Sequence, residues 1–288
     1  MTIDPGFLDE LDRFQATLDR ESSALRQGEQ ESPRIGEGLT FSDYRRYSPG
    51  DDTRLIDWKL FARTEEYFIK QYEEERSLTV HVLLDASGSM DFPNGPTNKF
   101  EYGAKIGLGF AYLTAEENND FVFGTFRERT DRLDAGRSNR GEILDLVDQV
   151  NGTTPAEEAD IEEVLSAYAA RIRTRSLVVV VTDGLYDPEA VESGVAALAR
   201  TDSDVLVVHV VAPEERDPDV AGDALFVDPE TEATRRSYFS GSLASTYQSR
   251  LDAHVDEVSD RVTGLGEEYV TVDTGEQYFD AFAGVWLG

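Results

Sequence analysis

Apolar and polar positions follow two rhythms along this chain. Near the start, Phe7, Leu8, Leu11, Phe14 and Leu18 recur at spacings of three and four, which predicts a short amphipathic helix. Residues 21–33 have the polar composition of a linker. From Leu78 the rhythm changes to short apolar runs separated by longer helical patterns. The first run, Val80, Val82, Leu83 and Leu84, shows little polar alternation, as in a strand buried on both faces. Further strands are expected at 121–126, 177–181, 205–211, 225–227 and 269–272. Helices are expected over 98–117, 139–150, 243–262 and 278–287. Two more are expected from Thr154-Pro155 and Asp187-Pro188, where a capping side chain precedes a first-turn proline. Strand–helix alternation of this kind predicts a mainly parallel, doubly wound α/β sheet.

Between these regions, residues 32–76 read as a separate module. Ser48-Pro49-Gly50-Asp51 is a turn signal, and aromatics (Phe41, Tyr44, Tyr47, Trp58, Phe61) mix with Arg45, Asp51, Asp52, Arg54, Asp57 and Arg63. A compact β-rich unit held by Arg–carboxylate pairs and Trp58 is expected, the alternative being an Arg–aromatic binding surface. The expected organisation is thus 1–31 helix and linker, 32–76 module, and 77–288 main domain.

Charge changes the picture. The 288 residues carry 58 acidic against 27 basic side chains, a net charge of −31, and only Lys59, Lys70, Lys99 and Lys105 are lysines. Acid excess with almost no Lys resembles the cytoplasmic proteome of a salt-accumulating halophilic archaeon, where ionic strength screens self-repulsion. Sequence-independent nucleic-acid binding, which needs basic patches, is disfavoured. The absence of cysteine excludes disulfides and zinc–thiolate sites. No window approaches a membrane span, and the first residues lack a signal-peptide layout, so a cytoplasmic location is expected.

The candidate chemistry sits where the first buried strand stops. Asp85, Ser87 and Ser89 place a carboxylate and two hydroxyls on one turn expected to face solvent, an oxygen set suited to Mg²⁺, Mn²⁺ or Ca²⁺. In an open α/β sheet, ligands bind at the carboxyl ends of the strands. Two other loops qualify by position: Asn151-Gly152-Thr153-Thr154 and Thr182-Asp183-Gly184. The further hydroxyl is assigned to Thr153, with Thr154 as the alternative, and the further carboxylate to Asp183, expected to act through water. Enzyme readings fare poorly: there is no nucleophile elbow or Walker A loop, and Ser87 stands where a haloacid-dehalogenase phosphatase needs Asp.

These three elements in order resemble the metal-ion-dependent adhesion site of von Willebrand factor A domains. Upstream, residues 36–63 (GEGLTFSDYRRYSPGDDTRLIDWKLFAR) resemble the segment preceding such a domain in the domain of unknown function 58 family. The resemblance implies a von Willebrand factor A-like, Rossmann-like sheet with metal ligands Asp85, Ser87, Ser89, Thr153 and Asp183. It also implies a non-enzymatic protein-binding role beside a MoxR-type AAA+ ATPase. A metal-dependent hydrolase, or a scaffold with a purely structural metal, are the alternatives.

Overall fold

The computed structural model describes residues 3–4, 6–26, 39–46, 60, 66–74, 78–93, 95–218, 222–227 and 233–287. The chain divides into two compact units, Met1–Arg20 with Leu78–Gly288, and Glu21–Ser77.

The larger unit is built on a six-stranded sheet. Its strands are β3 (Thr79–Asp85), β4 (Asp120–Phe126), β5 (Thr130–Arg132), β6 (Ser176–Thr182), β7 (Ser203–Val211) and β10 (Glu268–Asp273), in the order β10-β7-β6-β3-β4-β5. All neighbours are parallel except β4 and β5. Along each central strand, alternate residues enter opposite cores. Val80, Val82, Leu84, Val179, Val181, Leu206 and Val208 enter one; Leu83, Val178, Val180, Val205 and Val207 enter the other. Period-two alternation explains why these strands are unbroken apolar runs.

The first core is covered by α1 (Phe7–Arg26), α2 (Lys99–Glu116), α3 (Arg140–Asn151) and α8 (Tyr278–Leu287). The second is covered by α4 (Ile161–Ala169), α5 (Pro188–Ala199) and α7 (Gly241–Gly264). The doubly wound, mainly parallel α/β architecture expected from the alternation is therefore present. Helix α2 lies close on the sheet because Gly107 lacks a side chain. A Cβ there would meet Val82 Cγ1 at 2.8 Å and Phe123 Cε2 at 2.9 Å. Each fully buried Val, Leu or Phe in such a core contributes about 1.5–3 kcal/mol.

Several elements depart from expectation. Helix α1 continues to Arg26, into the expected linker, since 21–26 contain helix-tolerant residues and no Gly or Pro before Gly28. Helix α4 starts at Ile161, capped by Asp160, whose carboxylate accepts from Glu163 N at 2.9 Å. Thr154-Pro155 does not cap it. Instead Ala156 N donates to Ala86 O at 3.1 Å and Gly88 N donates to Glu157 O at 2.9 Å, so this stretch runs beside the β3 turn and bends at Glu157, whose φ is 67°. Strand β8 (Gly222–Val227) pairs antiparallel with β9 (Thr234–Phe239), a strand not expected from the sequence; the following helix, α7, begins at Gly241 behind the Ser240 cap.

In the smaller unit, β1 (Leu39–Arg46) pairs antiparallel with β2 (Phe68–Glu74). The Arg46 guanidinium donates to both Glu66 carboxylate oxygens at 2.8 and 2.9 Å. Trp58 and the Gly50–Trp58 motif lie outside the described residues.

Candidate functional site

Asp85 is the last residue of β3 and Thr182 the last of its neighbour β6, so both stop at the carboxyl edge of the sheet. The chain then leaves β3 through a 3₁₀ turn, Gly88–Met90, whose Met90 N donates to Ser87 O. That turn folds Ser87 and Ser89 back beside Asp85. Their hydroxyl oxygens lie 3.1 Å apart. Both serines are buried, at 0% and 8% exposure, rather than solvent-facing as expected. The residues flanking Ser87 are tied to a neighbouring stretch, Ala86 O accepting from Ala156 N and Gly88 N donating to Glu157 O.

Asp85 is held from several directions. Ser87 N donates to Oδ1 at 2.9 Å, while Thr182 Oγ1 and Tyr186 OH each donate to Oδ2 at 2.7 Å. No cationic side chain bonds it among the described residues. Burial, reinforced by the Asp183 charge, pushes the Asp85 carboxyl up to about 6 against the pull of those hydrogen bonds.

Asp183 meets a different environment. Its Oδ1 accepts from Leu185 N at 3.2 Å, and its Oδ2 accepts from Lys99 Nζ at 2.8 Å. The Ser89 side chain also hydrogen-bonds it. Burial is the strongest influence here too and works against its charge, but the Lys99 ammonium together with the hydrogen bonds from Ser89 and Leu185 N outweighs it and holds the carboxyl below its ordinary range. Lys99 opens α2, and its side chain is fully buried. Its ammonium donates also to Glu215 Oε1 and stands 5.9 Å from the Phe92 ring centroid. Burial opposes its charge, yet Asp183 and Glu215 together raise it above the usual lysine range. Glu215 lies in the short helix α6 (Pro213–Arg216), where Ala212 N donates to its Oε2 at 3.0 Å. For Glu215 burial prevails over Lys99 and its carboxyl is raised.

The sheet edge thus gathers Asp85, Ser87, Ser89 and Asp183 from the expected set. Thr153 is placed otherwise: its hydroxyl donates to Gln149 O at 3.0 Å, closing the end of α3. Thr154 is exposed. Asn151, beside them, is engaged with the chain start, exchanging bonds of 2.7 and 3.0 Å with the Ile3 backbone. Among the described residues no three acidic or histidine side chains converge as a metal cluster. The hard donors are two carboxylates and two hydroxyls. Sequence reasoning passed over Lys99, Glu215, Thr182 and Tyr186. The available signal was Lys99 itself, one of four lysines, placed in a helix that is otherwise apolar nearly all round.

Gly184 turns the chain after Asp183 at φ 63°, and a Cβ there would come within 3.2 Å of the His209 ring. Its carbonyl lies 2.8 Å from His254 Nε2, which ties the rim of the site to α7. Burial lowers His209 to about 4, so it is neutral at ordinary pH.

Comparison with known proteins agrees with a family of undetermined role. The uncharacterized protein Rv1480 of Mycobacterium tuberculosis is 23% identical over 280 residues, covering 96% of this chain and 87% of its own. The uncharacterized protein Mb1516 of Mycobacterium bovis matches to the same extent. Among solved structures, the conserved hypothetical protein BatB from Bacteroides thetaiotaomicron aligns with a TM-score of 0.45 at 16% identity. An aerotolerance-related membrane protein from Bacteroides fragilis aligns with 0.48 at 13%. Each alignment covers 73% of this chain and 97% of the other. In the present chain, no helix among the described residues is long and apolar enough to cross a membrane. Residues 43–255 match the family model described as protein of unknown function DUF58, and the chain belongs to that family.

Proposed function

We propose that this protein is a metal-dependent protein-interaction module that binds an acidic side chain of its partner at the carboxyl edge of the sheet. The observation that carries the reading is Asp85: a fully buried carboxyl, pushed up to about 6, with hydroxyl and amide partners but no cation. A buried anion of this kind is stabilised by a positive charge, and the hydroxyls of Ser87 and Ser89 beside it are hard oxygen donors. The residues present fit a hard divalent cation. Asp85, Ser87, Ser89 and Asp183 would hold it, with Thr153 joining on releasing the Gln149 carbonyl. A bound Mg²⁺ (or Mn²⁺ or Ca²⁺) supplies an electrophilic centre that accepts an anionic oxygen from outside the chain.

The protein's own groups do the rest. Thr182 and Tyr186 fix the Asp85 carboxylate, and backbone bonds from Ala156 and Glu157 brace the turn that carries the serines. The role is binding rather than turnover. The resemblance set out above names a MoxR-type AAA+ ATPase as partner and a cytoplasmic setting. The acid-rich, lysine-poor composition supports operation at high salt, although the matched relatives are mycobacterial.

The test is affinity capture of that ATPase at molar KCl with Mg²⁺ or with EDTA, using wild type and the Ser87→Ala/Ser89→Ala double variant. Mg²⁺-dependent capture by wild type alone is expected. Equal capture by both proteins in Mg²⁺ and in EDTA sinks the reading.

A further inference from the structure

An ammonium is costly to bury, and a lysine is fully buried only where anions surround it. Lys99 meets that condition with two carboxylates, Asp183 at 2.8 Å and Glu215, from the loop after β6 and from α6 respectively. Their side chains are 1% and 13% exposed. Only Asp183 is shared with the candidate metal ligands. Glu215 is fixed separately, its second oxygen accepting from Ala212 N. One end of this triad therefore lies inside the site and the other outside it.

We infer that Lys99 is a tethered internal cation that holds Asp183 when no divalent ion is bound and is handed over to Glu215 when one is. This deepens the proposed metal-dependent binding and rests on that reading. The physical reason is charge economy at a buried point. An ammonium and a divalent cation on the same carboxylate repel each other strongly where water does not screen them. Asp183 can satisfy one of them fully. Glu215 gives the displaced ammonium a carboxylate it already touches, so the exchange needs no exposure of Lys99 to solvent. The transfer also reaches the surface: Glu215 caps α6, and Arg216 of the same helix accepts from Gln248 of α7 at 3.0 Å through its carbonyl. The state of the metal position is thereby felt on the α6–α7 rim, beside the half-exposed Phe92 and Tyr247.

The test measures Mn²⁺ affinity by calorimetry and by the electron paramagnetic resonance of the free ion, in molar KCl. Wild type is compared with Lys99→Met/Glu215→Gln, which removes one positive and one negative charge and so leaves the local net charge unchanged. The double variant is expected to bind Mn²⁺ on the order of tenfold more tightly, because the competing cation is gone. If it folds and binds Mn²⁺ no more tightly than wild type, the inference is overturned, while the metal-dependent reading survives on wild-type binding alone. If only the double variant binds Mn²⁺, and Asp85→Ala in that background abolishes it, Lys99 is a permanent plug, and the handover fails together with the wild-type metal reading. If neither binds, both fail.

A second measurement needs no variant. With only four lysines, the ammonium resonances of ¹⁵N-lysine-labelled wild type can be followed on titration with diamagnetic Mg²⁺. The Lys99 signal is expected to shift as its partner changes. A Lys99 signal unmoved at saturating Mg²⁺ overturns the inference.

Discussion

The ends of β3 and β6 lie side by side and each carries an aspartate, Asp85 and Asp183, buried to 0% and 1% exposure. Desolvation acts on both in the same direction. Yet Asp85 is raised to about 6 and Asp183 is lowered. Asp85 has hydroxyl and amide donors; Asp183 has an ammonium. Neutral donors orient a carboxylate and soften its desolvation, but at this depth a full opposite charge decides the sign of the shift. The two ends of one sheet edge are therefore unlike: among the described residues, the β6 end has a cationic partner, and the β3 end does not.

The sharpest way to break this contrast is to remove the cation. Lys99→Met leaves Asp183 and Glu215 buried without it, and a cost of about 3–5 kcal/mol is expected from breaking a buried pair. Asp85→Asn discharges the uncompensated carboxyl and keeps the acceptor for Thr182 and Tyr186, but sets an amide nitrogen against Ser87 N–H, so a smaller cost of about 1–3 kcal/mol is expected. Urea unfolding of both variants at pH 7 checks the ranking. Equal losses would mean that Lys99 is not the source of the difference.

A weaker effect is expected where burial acts on a cation without a bonded anion. His81 lies on β3 with Nδ1 2.7 Å from the Tyr168 hydroxyl, and burial lowers it to about 4. Its folded value lies below the unfolded one, so the unfolded chain binds the proton more readily between pH 6.5 and 4. The stability conferred by neutral His81 is complete above pH 6.5 and is lost as pH falls towards 4. About 1–2 kcal/mol is expected to disappear between pH 7.5 and pH 5, allowing for partial exposure. Comparing wild type with His81→Phe at the two pH values isolates this share, and parallel losses would rule it out.

The smallest expected effect concerns salt. Exposed carboxylates are screened as the Debye length falls from about 10 Å to about 3 Å, so the wild-type melting temperature should rise from 0.1 M to molar KCl. The fully buried Lys99–Asp183 pair is shielded by protein rather than by ions. The stability gap between wild type and Lys99→Met should change by less than about 0.5 kcal/mol over that range. A gap that closes in salt would put Lys99 in contact with solvent.

The β3 turn was legible because its signal is local: an apolar run, then oxygen-bearing side chains within five residues. The sheet was legible because burial on both faces writes itself as unbroken apolar runs. Lys99 was not, since its meaning depends on α2, β6 and α6 converging, and a lysine in a first turn otherwise reads as solvated. The start of α4 was misread because Thr154-Pro155 satisfies the local capping rule, yet the chain uses 156 and 157 to bond Ala86 and Gly88. Asp160, followed by Glu162 and Glu163, supplies a second valid start. Strand β9 was missed because Arg235 and Arg236 interrupt any apolar run, and three-residue β5 is too short to show a period.

The docking of α1 bears on how this polypeptide is divided. Ile3, Phe7, Leu8 and Leu11 are buried in the first core, and Phe7 and Phe14 stack against Tyr278, Phe279 and Phe282 of α8 at centroid distances of 5.1–6.3 Å. The opening residues and the closing helix are thus neighbours within one compact unit, while residues 21–77 form another. In covalent terms the smaller unit is an insertion into the larger one, entered within α1, at Glu21, and left before β3. A protein cut at Leu78 would be a domain missing a wall, with the aromatic face of α8 laid bare to self-association. The natural excision is the reverse one: residues 21–77 replaced by a short tether, with the 7–20 part of α1 left clasped to α8.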